Sequence, residues 1–401
     1  MGVNIVSVTK SKAFIIFILA FGVFGIINTE MGIIGILPLI AENFGVSVST
    51  AGLLVSLFAL AVAISGSILP LLFSGFNRKG VMLLAIGLFV VSNVVSMFAP
   101  NFTIALIARI VPAFLHPVYV SVAFTAAASS VSPEMAPKAI GRVFMGLTAG
   151  MIIGTPIASF IADYANLEIA MLFFAVVNAL TFLAILLFVP SLPVKQKQSY
   201  GSQVRILKKG VVWAAIFGAI FILSGMYATF SFFAEYLGRV TEMSSNTISL
   251  MLILFGLTGM IGNLLAGKLL TNNALKTAFV YPLVFVGSYL VLFLLGSFTV
   301  PMILLIAFWG VLFTFGLNIS QYMITSSAPE APDFSNGLFV AFSNLGVTIG
   351  TMVSGAFING MGIQSVMWVG IVFLLLGFLS ILLFIPLTRK SNIKDASKLA
   401  A

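Results

Sequence analysis

Twelve apolar stretches, separated by short polar breaks, organise this chain from end to end. A membrane-crossing helix needs roughly 20 mostly apolar residues. Stretches of that kind cover residues 13–40, 48–72, 80–98, 102–128, 138–162, 168–190, 211–237, 246–270, 276–297, 300–326, 336–359 and 365–387. The breaks between them carry turn formers: Gly75, Phe76 and Asn77; Ala99, Pro100 and Asn101; Ser132, Pro133 and Glu134; Ala328, Pro329 and Glu330. The longest polar gap, residues 191–210, is basic and lacks an apolar period. It divides the chain into an N-terminal six-helix half (1–190), a cytoplasmic linker (191–210) and a C-terminal six-helix half (211–401). The first apolar run is too long for the core of a signal peptide and has no cleavage pattern, so it reads as a retained span.

Composition makes lipid the solvent. Of the 401 residues, 61% are hydrophobic and only 7% charged, against about 25% charged in soluble domains. There is no cysteine, so disulfides, thiolate metal sites and a cysteine nucleophile are excluded. A single histidine and no acidic cluster argue against a metal site, and no cofactor is expected. With the N-terminus in the cytoplasm, every Lys and Arg except Arg109 and Arg239 falls on the cytoplasmic side, as the positive-inside rule requires. An even number of spans then places both termini in the cytoplasm. The net charge of +9 reads as this topogenic bias plus attraction to anionic lipid. It is no nucleic-acid footprint, which needs a basic stripe on a soluble face.

The two halves repeat each other. Gly150, Gly154 and Thr155 in span five return 196 positions later as Gly346, Gly350 and Thr351 in span eleven. Thr50, Leu53, Leu57, Phe58 and Leu60 in span two return at an offset of 197 as Thr247, Leu250, Leu254, Phe255 and Leu257 in span eight. The fold class predicted is an all-α membrane protein, twelve transmembrane helices in two parallel six-helix pseudo-repeats, a plan that transporters use.

Four segments carry a family resemblance. They are Asn28-Thr29-Glu30-Met31-Gly32 with Pro38, Arg109 through His116, Phe255 through Gly267, and Ala328 through Asp333 followed by Asn344 and Gly346. With them the chain resembles the major facilitator superfamily, its drug:proton antiporters, and among these the branch of arabinose, sugar and purine-nucleoside efflux carriers. The resemblance implies a monomer in the bacterial cytoplasmic membrane, no enzymatic activity, and spans one, four, seven and ten around a central cavity. Its implied partners are a small-molecule substrate, protons and membrane lipid. Departures are visible too. The loop containing Arg78 and Lys79 lacks the family's Asp, and Asn166-Leu167-Glu168 replaces its usual Trp-Arg pair.

Charge inside the spans points to chemistry. Glu30 is the only charge between Ala13 and Ile40, and burying an ionisable group there is costly enough to mark a working residue. Arg109 lies at a matching depth, about 12 Å below the outer boundary at 1.5 Å per residue. The two are expected to pair, either as a fixed ion pair or as one that opens when Glu30 takes a proton. His116 lies two helical turns on from Arg109, as a proton or substrate contact or as a neutral histidine bonded to a neighbouring helix. In the resembled fold the substrate-contact candidates are Asn28, Tyr119, Tyr227, Ser231, Glu235, Trp309, Asn318 and Gln321, with two alternative readings. Glu235 reads rather as a solvated helix-end residue beside Arg239, and any other of these polar groups can instead be interhelical glue. Gly146, Gly150, Gly154 and Pro156 resemble the antiporter motif of span five, and Gly346 and Gly350 are their copies. The motif implies a sliding contact between the halves. The resulting reading is export of a small organic solute or drug against inward proton flow, with sugar or nucleoside efflux as the alternative. A non-transporting membrane sensor is the reading from another class.

Overall fold

A computed structural model describes residues 2–66, 68–73, 75–132, 135–193, 204–329 and 332–399. Half of the linker, including Lys195 and Lys197, lies outside the described residues, as do Pro133, Glu134 and Glu330 of the expected turns.

The described residues are helical, and eleven of their helices are long and apolar enough to cross a membrane. One of these, Ser245–Leu295, is 51 residues long, about 76 Å at 1.5 Å per residue and more than twice the hydrocarbon thickness. It is broken at Asn273, whose backbone is non-helical (φ −157°, ψ 81°), so we count it as two crossings. The helices are α1 (Lys12–Phe44), α2 (Val48–Gly66), α3 (Arg78–Met97), α4 (Phe102–Ser129), α5 (Ala139–Tyr164), α6 (Leu167–Phe188) and α7 (Gly210–Arg239). Next come α8 (245–272) and α9 (274–295), the two parts of the broken run. They are followed by α10 (Thr299–Ser327), α11 (Ser335–Met361) and α12 (Ser365–Thr388).

Local sequence explains the helix starts. Asn101 Oδ1 accepts from Ile104 N at 3.0 Å and Asn166 Oδ1 from Ile169 N at 2.9 Å, caps worth about 1 kcal/mol each. Ser47 and Ser244, 197 positions apart, cap α2 and α8 in the same way. The apolar stretch expected to run to residue 72 ends as α2 at Gly66 and resumes as a short helix, Leu69–Leu72, with Pro70 in its first turn. Proline lacks the N–H to extend a helix but suits a first turn.

The chain groups into two compact units, residues 1–46 with 64–198 and residues 47–63 with 199–401. In the first, α1 is the axis: α5 and α6 lie against it, α6 also lies against α3, and Thr29, Asn93 and Asn178 meet in the interior. In the second, α7 is the axis against α11 and α12, and α8 lies along α10. Within that unit α2 lies on α11, where Ser49 Oγ donates to Gly355 O at 2.5 Å and Thr348 Oγ1 to Ser56 O at 3.1 Å.

Candidate functional site

The candidate site sits where α1 is broken. Its α-helical part ends at Gly32, a tight 3-10 turn covers Ile33–Ile36, and the helix resumes over Leu37–Phe44 with Pro38 in its first turn. A 3-10 turn bonds three residues back instead of four, so the carbonyls ahead of it lose or share their partners. In an apolar interior each must find another donor. Arg109 supplies two: Nη2 donates to Thr29 O at 2.9 Å and to Glu30 O at 2.7 Å. Thr155 supplies the next, its Oγ1 donating to Met31 O at 2.9 Å.

Helix α4 is broken as well. Phe102–Ala113 contains Pro112, and His116–Ser129 begins anew with Pro117 at its start. This brings the imidazole to the carboxylate: His116 Nδ1 lies 3.5 Å from Glu30 Oε2. Glu30, Arg109 and His116 are all buried, at 7%, 6% and 5% exposure. The structure therefore gathers the three residues that the sequence singled out. Their contacts differ: the imidazole faces the carboxylate, and the guanidinium donates to main-chain carbonyls of the same turn. Behind them Asn178 Nδ2 donates to Thr29 Oγ1 at 2.9 Å, Asn93 Nδ2 approaches it at 3.3 Å, and Thr29 Oγ1 donates to Gly25 O at 2.9 Å.

The remaining candidates are spread through both units. Asn28 is fully buried on α1 against Gly154, and among the described residues its amide has no hydrogen-bond partner. The hydroxyl end of Tyr119 lies over Gly22, where the Thr181 methyl also approaches, and among the described residues that hydroxyl likewise has no partner. In the second unit Tyr227 lies in an aromatic cluster, its ring 5.2 Å from Phe313, which is 4.6 Å from Phe230. Trp309 extends that cluster through Phe233 at 5.4 Å and Tyr289 at 5.3 Å. Ser231 Oγ lies 2.7 Å from Thr351 Oγ1. Glu235 is buried and ion-paired with the exposed Arg239 one turn on. Asn318 Nδ2 donates to Asn263 Oδ1 at 2.9 Å, joining α10 to α8, and Gln321 Nε2 lies 3.5 Å from Asn336 Oδ1.

The glycine stripes meet a different neighbour from the one expected. A Cβ on Gly146 would collide with Ala20 O, one on Gly150 with the Ile27 side chain at 2.7 Å, and one on Gly154 with Asn28 Oδ1 at 2.8 Å. A Cβ on Gly346 would meet Ile220 O at 2.7 Å, and one on Gly350 would meet Ser224 O. The stripes thus seat α5 on α1 and α11 on α7. The contact expected between the halves is a contact inside each half, because the direction that each missing side chain leaves open is filled by the half's own first helix. Pro156 lies buried one residue beyond Thr155 and removes a helical N–H beside that contact.

Sequence reasoning missed Thr155, Asn93 and Asn178. Thr155 stands within the repeated motif, and Asn178 is the one amide in the apolar run of span six. Those were the available signals.

Comparison with known proteins agrees with this architecture. The sequence profile of the Major Facilitator Superfamily matches residues 14–332 and 215–400. The MFS-type transporter YtbD of Bacillus subtilis (strain 168) is 29% identical over 375 residues, 91% of this chain and 93% of that protein. A Helicobacter pylori (strain G27) protein named "Probable sugar efflux transporter" is 26% identical, with coverage of 88% and 91%. Among solved structures, a bacterial homologue of the human lysosomal transporter Spinster superposes with a TM-score of 0.76 at 19% identity, covering 94% of this chain and 98% of that one. The nucleoside transporter NupG gives 0.74 at 14% identity, with coverage of 94% and 99%. The broken first helix, the repeated halves and a profile match along nearly the whole chain lead to one assignment: this chain belongs to the Major Facilitator Superfamily and is a multi-pass membrane transporter.

Proposed function

We propose that the protein exports a small organic solute by alternating access in exchange for protons, from the cytoplasmic face of a bacterial membrane with both termini in the cytoplasm. The observation that carries the reading is a buried carboxylate, Glu30, 3.5 Å from a buried imidazole, His116, on two broken helices. A carboxyl in this setting has two states of different cost. Ionised, it draws on His116 and on the positive field of Arg109; protonated, it needs neither. A change in helix geometry that alters these distances therefore alters its proton affinity, which is the linkage an antiporter requires. Arg109 is the fixed cation of the site, and His116 is the nearest exchange partner.

Two substrate readings stand side by side. A neutral or weakly cationic drug-like solute suits the aromatic cluster of Tyr227, Phe313 and Trp309. Sugar efflux is favoured by the name of the Helicobacter relatives. Thermal stabilisation of the detergent-purified protein by a panel of unlabelled sugars, nucleosides and cationic drugs selects between them.

The proton reading is tested with Glu30→Gln, which keeps the shape of the protonated carboxyl and cannot ionise. In proteoliposomes of equal protein content, the variant is expected to retain solute exchange and to lose accumulation driven by an imposed pH gradient. A response to the gradient as strong as the parent's would make Glu30 a structural residue. The proton site would then have to be sought at His116, Glu235 or Asp163.

A further inference from the structure

We propose that Thr155 is a positioning residue, a hydroxyl clamp on the break of α1 that fixes the turn carrying Glu30, and that Thr351 is its counterpart on α7. The second part of this, that the turn sets proton exchange, rests on the proton-coupled reading above.

The breaks of α1 and α7 are one feature built twice. Ile36, at the α1 break, has φ −120° and ψ 11°; Phe232, 196 positions later at the α7 break, has φ −114° and ψ 22°. Leu37–Phe44 resumes the first helix and Phe233–Arg239 the second. The offset that relates these breaks also relates Thr155 to Thr351. Each threonine follows the last glycine of its stripe, and that glycine lets α5 or α11 lie against the broken helix with no side chain between.

Threonines in membrane helices usually satisfy themselves by bonding back to their own helix. Several do so here, Thr125 to Ser121 O at 2.9 Å and Thr181 to Val177 O at 3.0 Å among them. Thr155 instead reaches across to Met31 O at 2.9 Å, one residue past Glu30 and two before the 3-10 turn. Thr351 reaches across to Ser231 Oγ at 2.7 Å, one residue before Phe232. Both hydroxyls are buried, at 2% and 1% residue exposure. The bond ties α5 to the backbone between Glu30 and the 3-10 turn, so losing it loosens the turn that sets Glu30 against His116.

The test uses the full-length protein with Thr155→Val, which keeps the shape and removes the hydroxyl, Thr155→Ser, which restores it, and Thr351→Val. Hydrogen–deuterium exchange in detergent, without ligand, reads the break directly. In Thr155→Val, amides of residues 29–36 are expected to exchange roughly tenfold faster than in the parent, the equilibrium change for one hydrogen bond. Thr155→Ser should match the parent within about twofold, and Thr351→Val should change exchange only around residues 228–236. Infrared titration of the buried carboxyl band, assigned by its loss in Glu30→Gln, reads the proton site. Its midpoint is expected to move by about one pH unit in Thr155→Val and to stay put in Thr155→Ser and Thr351→Val. Unchanged exchange in Thr155→Val overturns the clamp. Faster exchange with an unmoved midpoint overturns the positioning role and leaves Thr155 a packing residue. A carboxyl band that persists in Glu30→Gln ends the proton reading and the positioning role with it, while the clamp still stands or falls on the exchange rates alone.

Discussion

The turns around Glu30 and around Met226 occupy equivalent places in the two halves and are built from opposite chemistry. At the 196-residue offset Glu30, Arg109 and His116 correspond to Met226, Leu305 and Leu312. The supporting contacts correspond as well. Asn93 and Asn178 bond to Thr29 in the first half. In the second, Tyr289 Oη donates to Gly225 O at 2.7 Å and Leu374 fills the space above Gly225. Thr29, Asn93 and Asn178 are thus exchanged position for position for Gly225, Tyr289 and Leu374. One backbone break is compatible with a small polar network or with an aromatic and aliphatic filling, provided every freed backbone group finds a partner. What the break demands is hydrogen bonding; the charged and titratable groups of the first half, Glu30, Arg109 and His116, have apolar counterparts at the three equivalent positions.

The comparison can be broken at several points, and the largest effect is expected at Arg109. Arg109→Ala leaves the carbonyls of Thr29 and Glu30 without their donor and the buried carboxylate without its cation. Losing one partner of a buried charged network costs about 3–5 kcal/mol. The variant should unfold at clearly lower temperature in detergent and carry no solute flux, whereas Leu305→Ala, at the mirror position, should lower the unfolding temperature much less. Equal losses would mean that Arg109 serves packing rather than the break.

Next in size come Gly150→Leu and Gly350→Leu. Both place a side chain into backbone or side-chain atoms of the half's own first helix, and overpacking of this kind costs about 1–3 kcal/mol. Both variants should insert and fail to transport. Because the stripes lie inside each half, each substitution should perturb hydrogen exchange in its own half alone. Perturbation of the other half, or normal flux in both variants, would contradict this placement.

The smallest effect is expected from Asn178→Leu, which gives the first half the residue found in the second. Thr29 keeps its bond to Gly25 O; the bonds from Asn178 Nδ2 to Thr29 Oγ1, Gly25 O and Phe174 O are lost and apolar contact is gained, for a net change of about 1 kcal/mol. A thermal unfolding shift of a few degrees with gradient-driven flux retained is the expected result. Complete loss of gradient-driven flux would instead place Asn178 within the proton-exchange machinery.

Much of this architecture was legible in the chain. Apolar runs predicted the spans closely; that of 102–128, for example, appears as Phe102–Ser129. Asn77, Asn101 and Asn166 begin helices by capping them. The repeat of Gly150, Gly154 and Thr155 announced two similar halves, and Glu30, Arg109 and His116 were visible as lone charged or titratable groups in apolar sequence. The partner of each polar group was less legible. Arg109 was expected to pair with the Glu30 carboxylate; that it also donates to the main-chain oxygens of Thr29 and Glu30 is something no sequence pattern displays. Thr155 looked like part of a packing stripe because its bond depends on a break in another helix.

The sequence by itself determined the spans, the repeat and which charged groups stand inside a span, because these follow from one-dimensional hydrophobicity and from spacing along a helix. The tertiary structure alone decided which helix each glycine stripe receives and which donors satisfy the carbonyls freed at the α1 break. Those choices depend on the rotation of each helix about its axis and on the backbone that faces it. A carbonyl left without its helical partner in a medium with no water accepts whichever donor the fold brings near.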